Sequence, residues 1–507
     1  MALLAPVAHA LTPDQAAAIA IGDTDSRIAA LNKSAADADP ELAPFVRALL
    51  DGEVKTADGK VYVVQGDKTA PDTAEDVINN NRMRGALEAA LGALKLVSPD
   101  AKVRAEAVEE LRKQSLDEAQ LPLIEKAWAA ESDAGLKSRL ALMRATILVS
   151  SSDVAKRLAA AQALSASSEP AVKSLLQERL APGVETDPAV RGALMTALDA
   201  VEGRLAWGER LGVLFTGASL GSILLLVALG LAITYGLMGV INMAHGELMM
   251  IGAYATFVVQ NLFRQYLPGA FDWYIVLAIP VSFLVSALVG AALERSVIRW
   301  LYGRPLETLL ATWGISLVLM QGVRSLFGAQ NVAVENPAWL SGGVQVMSNL
   351  ILPYNRLAII AFAFLVLAGV TLMINRTRLG LFVRGVTQNR RMAACVGIPT
   401  ARIDTYAFSL GAGIAGLAGC ALSQVGNVGP DLGQGYIVDA FMVVVTGGVG
   451  QLAGTVYAAL GLGVLNKFLE GFAGAVLAKI MVLVCIVIFI QKRPQGLFAM
   501  KGRSAEA

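Results

Sequence analysis

Histidine is nearly absent from this chain: 507 residues hold two, His9 and His245. Cysteine is also scarce, with three residues, Cys395, Cys420 and Cys485, none of them spaced as a metal pair. So few imidazoles and thiols argue against a zinc centre, and no bound metal is expected. No Gly-x4-Gly-Lys-Ser/Thr run occurs, so the chain has no P-loop of its own. The nearest stretch, Gly448-Val-Gly450-Gln-Leu-Ala-Gly454, has the wrong spacing and is apolar. No nucleophile–base pair is visible, which weighs against a stand-alone enzyme. Charged side chains make up only 16% of the residues, against about 25% in soluble proteins. From Leu211 to Gly246 there is no Lys, Arg, Asp or Glu, a run longer than the ~20 residues one membrane-spanning helix needs.

What is present is divided unevenly. Residues 1–210 carry 24 basic and 31 acidic side chains, a net of −7, and residues 211–507 carry 18 and 10, a net of +8. The overall +1 is a cancellation and gives no sign of nucleic-acid binding. The chain opens with a short apolar stretch ending in Ala8-His9-Ala10, the A-x-A form of a signal-peptidase site. Residues 1–10 therefore read as the remnant of a signal peptide, which places the following domain outside the cytoplasm.

Residues 11–205 read as a soluble helical domain. Apolar positions recur at helical spacing, as in Ala105, Ala107, Val108 and Leu111. Asp100-Ala-Lys-Val-Arg104, Ser168-Glu-Pro-Ala-Val172 and Asp187-Pro-Ala-Val-Arg191 each open a helix after a polar cap, a loose pattern like that of HEAT repeats. An irregular helical domain fits equally well. Gly52–Val64 alternates around Asp58-Gly59, which predicts a small β-hairpin. The domain holds no catalytic constellation and reads as an interaction module.

From 210 to 500 the pattern predicts a polytopic membrane domain with spans near 211–234, 240–263, 274–297, 309–327, 357–374 and 403–423, and a last span near 473–491. Between the last two, 437–465 carries Val445-Thr-Gly-Gly-Val-Gly450, predicting a half-helix, a Gly turn and a second helix inside the membrane. Basic residues cluster between spans three and four, between five and six, and after the last span. The positive-inside rule puts these segments in the cytoplasm, with the first span starting outside. Gly217-x3-Gly221 and the glycines of 411–419 read as close helix packing. Within span two, Asn242-Met-Ala-His245-Gly-Glu247 places ionisable groups at a depth where they are costly and by default functional. The plainer reading puts Glu247 where the chain dips back to the interface. The loop 377–402 predicts a short basic amphipathic helix, with Phe382, Val383, Val386 and Met392 offering an apolar face. That face rests on anionic lipid or meets a partner protein.

Asn242–Tyr254, the loop Gly380–Pro399, Val445–Gly450 and the ending Arg493-Pro-Gln-Gly-Leu-Phe498 together resemble the branched-chain amino-acid type of ABC transporter permease. The long acidic extension before the first span resembles, within that group, the urea transporter permease subunit. The resemblance implies a multi-pass bacterial inner-membrane protein with a periplasmic N-terminal domain and a cytoplasmic C-terminus. It implies a second homologous permease, two cytoplasmic ATP-binding subunits that hold the ATP, and a periplasmic substrate-binding protein. The chain itself takes no cofactor. Asn242, His245 and Glu247 match the family motif, and Arg384, Asn389, Arg390, Arg391, Gly397 and Pro399 fall in the segment that couples to the ATPase. Gly385 departs from the more usual Ala. The expected function is import of urea or a short amide along a path or gate that includes Asn242, His245, Glu247, Gln321, Asp439 and Thr446. One alternative is a branched-chain amino-acid permease. Another, of a different class, is a channel or membrane scaffold without ATP coupling. The expected architecture is all-α: a HEAT-like domain with a hairpin, then the membrane domain with its Gly-broken re-entrant region.

Overall fold

The computed structural model describes residues 12–37, 42–57, 59–64, 71, 74–96, 98, 100–112 and 120–498. The signal-like residues 1–10, Asp58 of the expected turn, and Lys501 and Arg503 lie outside the described residues. The chain is mostly helical and divides into two units, Met1–Ala206 and Trp207–Ala507.

The first unit comprises α1 (Pro13–Ala20), α2 (Thr24–Asp37), α3 (Leu42–Asp51), strands β1 (Val54–Ala57), β2 (Lys60–Val63) and β3 (Glu75–Asp76), α4 (Asn81–Lys95), α5 (Ala101–Arg112), α6 (Leu121–Ala130), α7 (Ala134–Leu148), α8 (Val154–Leu164), α9 (Pro170–Arg179) and the beginning of α10 (Pro188–Met238). The hairpin forms as the alternation predicts, with Val54 opposite Val63 and Ala57 opposite Lys60, and β3 adds a third strand against β1.

A three-helix motif occurs three times: α2–α3–α4, α5–α6–α7, and α8–α9 with the beginning of α10. The first helix of each is capped by an aspartate, Asp23, Asp100 or Asp153, which accepts a backbone N–H of the first turn. Four residues on stands an arginine. Arg27, Arg104 and Arg157 each donate to a backbone carbonyl ahead of that cap, of Ile19, Ser98 and Ser151 respectively. Each also reaches the residue just before the third helix: Asn79 Oδ1 at 2.6 Å, Glu131 Oε2 at 2.8 Å and Glu185 Oε2 at 2.9 Å. The third helix is capped in turn by Asn80, Asp133 or Asp187. Each triplet has its own apolar core, centred on Leu31 and Leu87, on Leu111 and Ile124, and on Leu164 and Leu176. This corrects the register expected from sequence. Asp100 opens the first helix of a triplet, Glu169 precedes the second and Asp187 opens the third. A polar cap recurs at first and third helices alike, so cap likeness alone cannot align repeats; the arginine does.

These pairs give the domain an acid limit. Arg104 donating to the Glu131 carboxylate, helped by the N–H groups of Asp133 and Ser132, holds that group at about 2, well below its ordinary 4.5. A depressed folded-state value contributes stability above about 4.5 that is lost as pH falls towards about 2. Hydrogen exchange of α5–α7 in the full chain is expected to quicken over that window. Glu131→Gln should weaken α5–α7 at pH 7 and flatten the acid dependence; an unchanged profile would detach the acid limit from this carboxylate.

The second unit holds the rest of α10, then α11 (His245–Tyr266), α12 (Tyr274–Ser296), α13 (Pro305–Phe327), the hairpin β4–β5 (Gly343–Met347, Leu350–Pro353), α14 (Tyr354–Arg376), α15 (Arg378–Gln388), α16 (Arg390–Cys395), α17 (Thr400–Ser423), α18 (Leu432–Gly447) and α19 (Leu452–Lys492). Among the described residues, six helices are long and apolar enough to cross a membrane: the apolar part of α10, α12, α13, α14, α17 and α19. The expected second span, α11, is not one of them. From His245 to Gln260 most of its side chains are buried against other helices, so it has little need of a lipid-compatible surface. Close packing of glycines lets this happen. A Cβ on Gly252 of α11 would fall onto Gly416 of α17, and one on Gly419 would lie 2.8 Å from Ala253 N.

Breaks in the helices set the topology. Gly239, at φ +64°, ends α10, and residues 240–244 run non-helically to α11. Gly474, at φ +77°, splits α19 into two arms. The arms run back alongside one another, because Phe498, just past the second, stacks on Tyr457 of the first at 5.9 Å. The expected Gly turn is present, with Gly448 and Gly450 both at positive φ between α18 and α19. It lies at one end of the bundle and not at its middle. Leu497 N donates to Thr446 O at 2.8 Å and Phe498 N to Gly447 O at 3.3 Å, so the segment after Lys492 and Arg493 closes over the turn. The Arg493–Phe498 and Val445–Gly450 motifs are therefore two sides of one contact.

Candidate functional site

The irregular backbone that leads to mid-depth is elsewhere: 239–244 and 424–431 each return inward from an end of the bundle. Both segments end in half-helices. The midpoints of α12, α13 and α17 fall near Ser286, Ser316 and Gly411. Ser316 Oγ donates to Glu247 Oε1 at 3.0 Å and Ser286 Oγ to Leu248 O at 3.0 Å. The His245 ring abuts Gly230, which in turn meets Gly411. Hence α11 begins at the middle of the bundle. So does α18, because a Cβ on Gly433 would fall onto Gly246 and 2.8 Å from Glu247 N. Two half-helix N-termini, one from each half of the domain, meet at Gly246 and Gly433.

The motif residues divide their tasks around this crossing. Asn242 Oδ1 accepts from Ala244 N at 3.0 Å and shapes the turn into α11, and Met243 N donates to Thr312 Oγ1 at 3.2 Å. His245 is fully buried with Nε2 3.1 Å from Val227 O. A carbonyl only accepts, so Nε2 carries the proton and Nδ1 is an acceptor. Glu247 is 1% exposed. Asn242 Nδ2, His245 Nδ1, Glu247 Oε2 and Tyr254 OH are buried and have no hydrogen-bond partner among the described residues. Buried polar groups are normally paired, and at this depth an unpaired one is costly. The segment 424–431 is itself held by protein partners, pairing Val428 with Val332 in both directions and Gln424 with Tyr274 OH.

The other residues expected on the path are not brought to this crossing. Gln321 is exposed on α13. Asp439 lies two turns into α18 and pairs with Lys479 at 3.6 Å. Thr446 is at the end of α18, its carbonyl taken by the C-terminal segment and its hydroxyl unpartnered. Conversely, Thr312, Ser316, Tyr254 and Asp431 stand at the crossing without having been singled out. A signal for the last was available: Gly429-Pro430-Asp431 is a helix-start pattern inside an apolar stretch.

The basic loop folds as two short helices, because Asn389 leaves helical geometry and caps α16, accepting from Met392 N at 2.9 Å. Its expected apolar face is largely covered by the chain itself. Val383 and Val386 pack with Ile403 and Ala407 of α17, Phe382 is partly buried beside them, and Met392 is left exposed. The apolar residues the loop presents outward are Leu381, Met392 and Val396. Arg390 is engaged: it pairs with buried Asp404 and lies 4.9 Å over the Tyr302 ring. Nearby Glu294, fully buried, accepts from Thr405 Oγ1 at 2.6 Å and Tyr302 OH at 3.0 Å. Arg391 is exposed, Gly397 turns the chain at φ +87°, and Pro399 stands ahead of α17. Arg384 is exposed and lines a cavity of about 710 Å³ with Gly236, Thr371, Gln388 and Gln451.

Comparison with known proteins places this region in a family. The family described as branched-chain amino acid transport system / permease component matches residues 213–490. The chain is 30% identical over 290 residues to the high-affinity branched-chain amino acid transport system permease protein BraD of Pseudomonas aeruginosa, covering 56% of this chain and 94% of that protein. It is 28% identical over 291 residues to the permease protein LivH of the same kind of system in Escherichia coli, covering 56% and 94%. The autoinducer 2 import system permease protein LsrD of Yersinia enterocolitica is 28% identical over 204 residues, covering 38% and 60%. No solved structure matches the chain. With its polar crossing and its basic loop both inside the matched region, the chain belongs to the branched-chain amino acid transport system permease family, whose members are transport subunits and not enzymes.

Proposed function

We propose that this chain is a permease subunit of an ATP-driven importer in a bacterial inner membrane, and that its solute is a small neutral amide such as urea. In this reading it works with a second homologous permease, two cytoplasmic ATP-binding subunits and a periplasmic binding protein. The first unit and the start of the apolar part of α10 lie on the outer side. The basic loops and the C-terminus lie in the cytoplasm, as the positive-inside rule requires. ATP binding and hydrolysis on the partners shift the permease between two access states, and α15–α16 receive that motion.

The observation that carries the solute reading is the chemistry of the crossing. Glu247 Oε2 and His245 Nδ1 accept, Asn242 Nδ2 donates, and no Lys or Arg is ion-paired there among the described residues. Such a set matches a carbonyl flanked by N–H groups, and offers no fixed cation to a carboxylate. The second reading, a branched-chain amino acid, has the names of the relatives behind it and is the better supported by comparison. Neither relative's match extends over most of the first unit, whose acidic composition is the feature that resembles a urea permease.

Uptake of labelled urea by cells expressing the complete importer, challenged with acetamide or with leucine, separates the two. The expected result is saturable urea uptake inhibited by acetamide and indifferent to leucine. Leucine uptake unaffected by urea would sink the amide reading and leave the amino-acid one.

A further inference from the structure

Asp431 is exposed, yet it stands two residues before Gly433, at the mid-depth crossing. An exposed carboxylate at such depth faces water or protein, never lipid. Its neighbours are specific. Met250, Tyr254, Val323 and Val428 form one apolar cluster, with Leu432 and Phe327 packed against it, so α11, α13 and the start of α18 enclose the same small volume. Asp431 is two residues from Gly433, whose Cβ would lie 2.8 Å from Glu247 N, and adjoins Leu432, which packs against the cluster that holds Tyr254. Glu247 keeps one carboxylate oxygen unpaired although it is 1% exposed, and the Tyr254 hydroxyl is unpaired at 2%. Tyr254 is one full heptad beyond Glu247, on the same side of α11. Its ring is fixed by Phe327 at a centroid distance of 4.7 Å.

We infer that Glu247, Asp431 and Tyr254 form one acceptor-rich subsite for the N–H groups of the transported solute, amide or ammonium, open to the path through Asp431. Two carboxylates and a phenol supply several lone pairs, so a ligand with paired N–H donors satisfies them and an anion is repelled. Ser316 sets the orientation: by holding Oε1 of Glu247 it leaves Oε2 to the solute. Gly246 and Gly433 let the two helix starts that carry these carboxylates meet backbone to backbone. The inference rests on the importer reading for its solute, and adds to it the residues that grip the nitrogen end.

The test uses the complete importer in proteoliposomes, with assembly of each variant checked by co-purification of its partners. Asp431→Asn replaces an ionic acceptor by a weaker one and is expected to raise the KM for urea roughly tenfold or more, with a much smaller change in kcat. Tyr254→Phe should act in the same direction by a smaller factor. Tetramethylurea, which has the carbonyl and no N–H, should fail to compete. Unchanged KM in Asp431→Asn, or effective competition by tetramethylurea, overturns the subsite. If the wild type carries leucine and not urea, the amide reading fails, and the same KM comparison made with leucine judges the subsite through its ammonium. A measurement that needs no transport stands beside these. In a chain with its three cysteines replaced by Ser, Asp431→Cys should react with a water-soluble thiol reagent, and urea or leucine should slow the reaction. A cysteine there that is inert, or indifferent to both, overturns the proposal.

Discussion

Gly433→Ala, the addition of one methyl group, is expected to abolish transport and to lower the thermal midpoint of the detergent-solubilised protein. The new Cβ would fall on the backbone of Gly246 and lie 2.8 Å from Glu247 N. Backbone cannot change rotamer, so the two half-helices must separate. Overpacking of this kind costs roughly 1–3 kcal/mol, occasionally more, in a fold whose net stability is on the order of 5–15 kcal/mol. The functional loss should exceed the loss of stability, because separation moves Glu247 away from Asp431 before it unfolds anything. Gly435→Ala is the control: it lies on the same turn of α18 with nothing within 4 Å of its Cβ. Both substitutions raise intrinsic helix propensity by about 1 kcal/mol, so propensity cannot explain a difference between them. Equal behaviour of the two variants would remove the crossing from the mechanism.

The crossing also indicates how the permease could move. α11 runs from mid-depth towards one end of the bundle and α18 from mid-depth towards the other, with their N-termini in contact. Discontinuous helices meeting at the midplane are a recurring arrangement in transporters. The contact at the N-termini themselves is backbone on backbone, with Leu432 packed beside it against the Met250 and Tyr254 cluster. The far end of α18 is fastened, since its last carbonyls are bound by Leu497 and Phe498.

Much of this was legible in the sequence, and the reasons for the remainder are physical. The all-helical class, the β-hairpin at Val54–Val63 and the polar motif at Asn242–Glu247 follow from composition, alternation and the cost of charge among apolar residues. The helix break at Gly448 was readable, but its depth was not, because glycine marks a turn equally well at a bundle's end or at its middle. The break at 424–431 was harder to see: it holds one charge, Asp431, and its backbone is satisfied by residues remote in sequence such as Val332 and Asn355. α11 was expected as an ordinary span from its length, but its composition falls short of the six membrane-crossing helices, and its burial among other helices removes the need for a lipid-compatible surface. The triplet repeat was visible as caps but not as a register, since what repeats is an arginine contact that spans 52 residues in the first copy and 27 and 28 in the other two. In the basic loop, charge and amphipathicity suggested a free docking helix. The covering surface comes from Ile403 and Ala407 on the next helix, which periodicity within the loop cannot reveal.

That last point separates two arginines that look alike in sequence. Arg390→Glu is expected to destabilise the protein itself, and Arg384→Glu to weaken only its hold on the ATP-binding partner. Arg390 neutralises Asp404, whose side chain is 3% exposed, and covers the Tyr302 ring. Reversal leaves Asp404 and Glu294 as two buried acids, with Arg299 at 3.7 Å from Glu294 as the remaining counter-charge. Removing one partner of a buried pair costs roughly 3–5 kcal/mol, and the cost here should fall at the lower end because the Arg390 side chain is 42% exposed. The expected result is a lower thermal midpoint, looser proteolytic protection of α15–α16 and lost uptake. The exchange Arg390→Asp with Asp404→Arg should recover part of the stability, since it restores opposite charges at the site. Arg384 makes no ion pair among the described residues and faces the cavity at this end, so its reversal should leave the midpoint within a degree or two and reduce co-purification of the ATPase. If Arg390→Glu instead kept a native midpoint and lost only the ATPase, the residue would belong to the docking surface and the Asp404 pair would have no structural role.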